Sequence, residues 1–182
     1  VSLSRDKRCL IAAFRYLIMG TIGATFILIG VGMLYMKTGT LNMLDLSVRI
    51  DELGSSRTIN TGLAFIMVGV GIKLALFPLH MWLPPAYTHS PSAVSAFLAS
   101  TATKVAVYVM IRFIFTIFGA DHIFKEMDMD LILIVLAIVA IFKCSYMATL
   151  QNNVKTVLAF SSVAQIGYMI LGIALVSVMG LM

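Results

Sequence analysis

The stretch "GIKLALFPLHMWLP", residues 71–84, sets a lysine inside an apolar run and a proline five residues after it. The run that contains it extends from about 58 to 83, long enough for a helix to cross a bilayer, which takes about 20 residues. Lys73 lies near the middle of that span. A side chain so deep cannot reach the membrane surface by extending its stem, and a buried ammonium costs several kcal/mol unless it is hydrated, paired or neutral. Pro78 has no N–H to donate, and in a continuous helix its ring would collide with the carbonyl of Leu74. The helix is therefore expected to break at Pro78, leaving the Leu74 carbonyl unpaired just after Lys73. In lipid, such a group is tolerated only where water, a cavity or a neighbouring helix satisfies it. Together, a lysine and a helix break that admits water make a proton site.

The rest of the chain supplies the setting. Of its 182 residues, 60% are hydrophobic and 12% charged, and the mean hydropathy is +1.02. A soluble domain carries about 25% charged residues. The chain reads as an all-α polytopic membrane protein, one membrane domain over residues 1–182 with spans at about 9–36, 58–83, 91–118, 131–150 and 154–182. No basic, apolar and small-residue cleavage pattern opens it, so no signal peptide is expected. The net charge of +5 comes mostly from residues at the ends of apolar runs, which sets nucleic-acid binding aside. Cys9 and Cys144 stand apart in no metal-binding spacing. No metal and no cofactor are expected.

Between the first two spans, "KTGTLNMLDLSVRIDELGSSR" is too polar to cross. With Leu41, Leu44 and Val48 at helical spacing, it reads as a surface amphipathic segment. Glycines 20, 23, 30 and 32 of the first span are a packing signal. Ser90 is the expected cap of the third span, with Pro91 at its first position. An N-terminus on the cytoplasmic side puts the basic start and the link from Lys143 to Lys155 inside.

Lys104, in "LASTATKVAVYVM", repeats the pattern of Lys73 in the next span. Ser95, Ser100, Thr101 and Thr103 around it suit a wetted interior. His80 could relay protons, having an unperturbed pKa near neutrality, or simply sit beside Trp82 at the interface. His89 and His122 read as solvated loop residues. Lys155, in the first turn of the last span, opposes the helix dipole. It either snorkels to head groups, the favoured reading, or meets an internal acceptor. Ser161, Gln165 and Tyr168 form one polar stripe on that helix, as helix glue or as the lining of a hydrated path.

The stretches "KLALFPLHMWLPPAYTHSPSAVSAFLASTATKVAVYVMIRF" and "NNVKTVLAFSSVAQIGYMILG" resemble the antiporter-type membrane subunits shared by Mrp Na+/H+ antiporters and the proton-pumping arm of respiratory complex I. Lys73, Pro78, Trp82, Pro84, the Ser/Pro link and Lys104 match in order. The resemblance implies that Lys73 is the switching proton site and Lys104 the connecting one, with His80 at a common family position. The stretch around Lys104 is more similar to the D-type member of the Mrp antiporters than to a complex I subunit. Two departures stand out. Pro85 occupies a position where the family often has Asp, and the helix whose glutamate pairs with the first lysine has no counterpart here. The chain is similar to the middle third of such a subunit.

Three readings follow. The first is a proton-conducting subunit of a Na+/H+ antiporter complex in a bacterial or archaeal cytoplasmic membrane, working with other membrane subunits, protons and Na+. The second is a proton-translocating subunit of an NADH:quinone oxidoreductase or related hydrogenase complex, whose redox chemistry would belong to its partners. The third is an inactive fragment or scaffold.

Overall fold

A computed structural model describes residues 7–54, 56–120, 122–127 and 129–179, all as helices and their connections. Among the described residues, five helical stretches are long and apolar enough to cross a membrane: Lys7–Thr38, Arg57–His89, Ser92–Ile117, Met129–Thr149 and Val154–Leu175. The chain is a multi-pass membrane protein. Helix α1 (Lys7–Thr38) is the first span, and the short helix α2 (Met43–Leu53) links it to α3 (Arg57–Leu74). After α3, a tight turn (Leu79–Trp82) and α4 (Leu83–His89) complete the second span. The third span is α5 (Ser92–Phe97), a widened π-type turn (Leu98–Ala102) and α6 (Thr103–Ile111), ending in a second widened stretch, Arg112–Ile117. A further widened turn, His122–Glu126, leads to α7 (Met129–Thr149), which pairs with α8 (Val154–Met179).

The second span is the centre of the unit. Of its apolar window 61% is buried inside the protein, against 17–44% for the other four. Helix α3 packs on α1 and α6, and α4 packs on α1 and α8. The α1–α3 seam is built on two glycine pairs. A methyl group placed on Gly30 would lie 2.5 Å from the Gly62 carbonyl, and one on Gly69 would lie 2.7 Å from the Gly23 carbonyl. Both approaches are closer than any side chain permits, so the backbones touch where membrane helices use small residues for contact. The other two glycines of the expected packing signal, Gly20 and Gly32, have open space where a Cβ would point.

Helix α2 is held at both ends. Asn42 accepts the Leu44 N–H, capping its start, and Arg49 donates to the Thr38 carbonyl at 2.7 Å, closing the end of α1. Arg49 also pairs with Asp45 at 3.1 Å. Leu46 and Ile50 turn into the core, whereas Leu41, Leu44 and Val48 stay exposed. The exposed set is the apolar face expected of a surface segment.

At the third span, Ser90 is not the cap. Helix α5 starts at Ser92 behind Pro91, and the Ser90 hydroxyl instead meets Ser95 Oγ at 2.6 Å. An extended backbone at Ser90 turns its carbonyl outward, and Lys155 Nζ takes it at 3.0 Å.

Candidate functional site at the broken helix

Helix α3 ends four residues before the proline. Ala75 adopts the left-handed conformation, with φ of 61°. Its N–H reaches the Ile72 carbonyl while the Leu76 N–H reaches back to Gly71, the double closure of a Schellman turn. Such turns favour glycine at this position, so an alanine holds it at a steric cost. The chain has thus left the helix before the Pro78 ring would meet Leu74. The Phe77–Pro78 peptide that follows is cis. The carbonyl that finds an outside partner is Ile72's, to which the Trp82 indole N–H donates at 2.9 Å in a buried setting. The clash of the Pro78 ring with the Leu74 carbonyl does not arise, because the left-handed residue ends the helix upstream of the proline.

Lys73 occupies the last turn of α3. A helix C-terminus carries partial negative charge on its free carbonyls and favours a cation there. The side chain is exposed and lines a cavity of about 520 Å3 together with Tyr16, Thr21, Trp82 and Tyr87. Tyr16 packs tilted against Trp82, with 5.5 Å between ring centroids.

Lys104 sits just after the widened turn of the third span. Its Nζ donates to the Ala99 carbonyl at 2.7 Å. A π-type turn disturbs the regular i to i−4 ladder, and the lysine supplies a donor to a carbonyl within it. Helices α3 and α6 pack together, which sets the two lysine-bearing elements side by side. Thr103 is fully buried with its hydroxyl unpartnered, as is that of Tyr87, whereas Thr101 is exposed and meets the Ser100 hydroxyl.

His80 is buried with Nδ1 unpartnered, and its ring stacks on Phe77 at 5.2 Å. It is a buried group of the break, and not one at a wet interface. His122 is also not a free loop residue, since Asn60 Oδ1 holds its Nε2 at 3.1 Å. His89 Nδ1 lies 3.0 Å from the Pro85 carbonyl.

The last helix divides the remaining residues. Lys155 takes the internal acceptor, Ser90, in preference to snorkelling, and Thr156 meets Thr88 hydroxyl to hydroxyl at 2.9 Å. These bonds tie the start of α8 to the end of α4. Gln165 and Tyr168 are exposed on the surface of the described helices, and Ser161 is half-buried.

Sequence reasoning missed Lys143. Read as part of a link, it lies well inside α7, with Nζ 5.0 Å from the centre of the Phe77 ring. The available signal was the length of the apolar run, which carries α7 on to Thr149. Among the described residues no cluster of three or more His, Cys, Asp or Glu could hold a metal.

Residues 2–182 match the family described as NADH:quinone oxidoreductase/Mrp antiporter, TM. The chain belongs to this family. Its curated relatives include subunit N of the NADH-quinone oxidoreductase of Desulforudis audaxviator, 44% identical over 176 residues, covering 96% of this chain and 34% of the relative. Similar solved structures include a chain of the archaeal membrane-bound sulfane sulfur reductase, with a TM-score of 0.83 at 29% identity over 94% of this chain and 34% of that one. A chain of the Mrp complex from Dietzia aligns with a TM-score of 0.81 at 29% identity, over 91% of this chain and 30% of that one. The 182 residues span about a third of the length of each of these relatives.

Proposed function

We propose that these 182 residues are the central membrane domain of a longer proton-translocating subunit of a redox-driven respiratory complex. Lys73 takes up and releases the proton, and Lys104 passes it on. The observation that carries the reading is the position of Lys73. It stands on the last turn of an interrupted central helix and lines a cavity, and no Asp or Glu lies near it in the surrounding apolar runs. Discontinuous helices beside ionisable groups are how ion transporters bring charge to mid-membrane. The counter-charge comes from another segment of the full subunit, and its approach and withdrawal set the charge of Lys73. Redox cofactors belong to other subunits of the complex.

The identity of 44% to a subunit N favours redox coupling. The TM-score of 0.81 to a chain of an Mrp complex supports the second reading, in which the same lysines serve exchange of protons for Na+. In either case the chain sits in a cytoplasmic membrane, with its N-terminus inside.

The test uses the full-length subunit in its assembled complex, in inverted membrane vesicles. Proton uptake is driven by NADH in one arm and by an imposed Na+ gradient in the other. Lys73→Ala should reduce uptake at least tenfold while assembly is retained. Undiminished uptake in an assembled complex would sink the proposal, and the arm that drives uptake in the wild type separates the two couplings.

A further inference from the structure

Lys143 belongs to no element of the Lys73–Lys104 line. It reaches the broken helix from the opposite pair of helices, through one ring. Its ammonium lies 5.0 Å from the centre of Phe77, within the range of a cation–π attraction. The same ring stacks on His80 at 5.2 Å. These two distances put the ammonium and the imidazole no more than about 10 Å apart, with an aromatic ring in contact with both. His80 is 5% exposed, and its Nδ1 is buried with no partner. A buried nitrogen without a partner is costly and calls for a proton or a donor at some point in a working cycle.

The groups around the break do not offset the lysine's charge. The tight turn that carries His80 packs on α1, α3 and α4. These helices bring Tyr16, Lys73 and Tyr87 to the region, α7 adds Cys144 next to Lys143, and Lys155 of α8 is engaged with the Ser90 carbonyl. None of them is acidic.

We infer that Lys143, Phe77 and His80 form a second proton-handling cluster on the α7 side of the break, in which Lys143 governs by charge whether His80 holds a proton. A cation on the Phe77 ring opposes a second positive charge on the imidazole. When Lys143 is neutral or withdrawn, Nδ1 accepts a proton, and when it returns, the proton leaves. The inference rests on the translocation reading above.

The test measures the pH profile of proton uptake by the full-length subunit in its complex. Removing the charge with Lys143→Gln or Lys143→Met should move the pH midpoint upward by about one unit, the size expected for two charges some 10 Å apart at an effective dielectric near 20. Lys143→Arg should restore the wild-type midpoint. In a His80→Gln background that still transports, Lys143→Gln should produce no shift. If His80→Gln abolishes transport in an assembled complex, the agreement of Gln and Met against Arg decides. An unmoved midpoint in Lys143→Gln, or a shift that persists without His80, would overturn the inference. Lys73→Ala run alongside separates the two failures, since full activity there overturns the translocation reading itself.

Discussion

The seam between α1 and α3 and the stretch that follows it make opposite uses of the same helix. Along Gly62 and Gly69, α3 is regular and pressed so closely against Gly30 and Gly23 that no side chain fits between. From Ala75 onward the helix is given up, and its end is closed by a left-handed residue, a cross-bond from Trp82 and a turn through Pro78. The seam gains rigidity from contact between backbones. The break exposes backbone charge beside a lysine. A fixed helix up to Lys73 and an irregular, buried chain just after it place an ionisable group at the helix end beside a cavity.

The sharpest way to break this contrast is to overfill the seam. Gly69→Leu forces side-chain atoms into the Gly23 carbonyl, an overpacking expected to cost about 3 kcal/mol, roughly a hundredfold in the ratio of folded to unfolded protein. Assembled complex in membranes, measured by native gel, should fall accordingly, whereas Gly32→Leu, facing open space, should assemble normally. Equal outcomes for the two would show that the seam is not close-packed.

On the other side of the comparison, Trp82→Phe keeps the tilted ring contact with Tyr16 and removes the indole donor to the Ile72 carbonyl. The Ile72 carbonyl keeps the Ala75 N–H, so losing one of its two donors should cost about 1 kcal/mol. It should lower the Tm of the purified complex and reduce transport, while leaving the seam and assembly intact.

Ala75→Gly sharpens the contrast in the other direction. It relieves the left-handed strain by about 1 kcal/mol, offset in part by the greater freedom of glycine in the unfolded chain. A small rise in Tm is expected. A clear fall would mean that the alanine methyl has a packing role that outweighs its backbone cost.

The smallest effect belongs to the surface. Thr40 and Arg49 beside Asp45 hold its carboxyl below the ordinary aspartate value. A depressed acid contributes stability above its unfolded value and loses it as pH falls through the lower folded one. Asp45→Asn should therefore leave stability nearly unchanged at pH 7 and remove a weak acid-side dependence, seen as loss of salt-sensitive destabilisation as pH falls below the ordinary aspartate value.

The legible parts of the site were those with a local cause. Lys73 and Lys104 stand out because an ammonium in an apolar run is expensive wherever the helix faces. Pro78 marks the break because its missing donor is a property of one residue. For His80 the sequence leaves relay and interface open, since burial depends on what packs against it. Lys155 was assigned to head groups because its acceptor, Ser90, lies 65 residues away. His122 was read as solvated for the same reason, its Asn60 partner being 62 residues distant.

By itself the sequence determined a membrane protein of five helical spans, with two charged span interiors and an interruption near residue 78. Hydropathy, helix length and proline chemistry act within a single segment, so these features follow from the residues in order. The tertiary structure decided which glycines of α1 face α3, which carbonyl Trp82 caps, and that Lys143 meets Phe77 beside His80. Each of these depends on how one helix is rotated against another. That rotation is set by packing over the whole bundle, where a side chain's direction is fixed by partners distant in sequence.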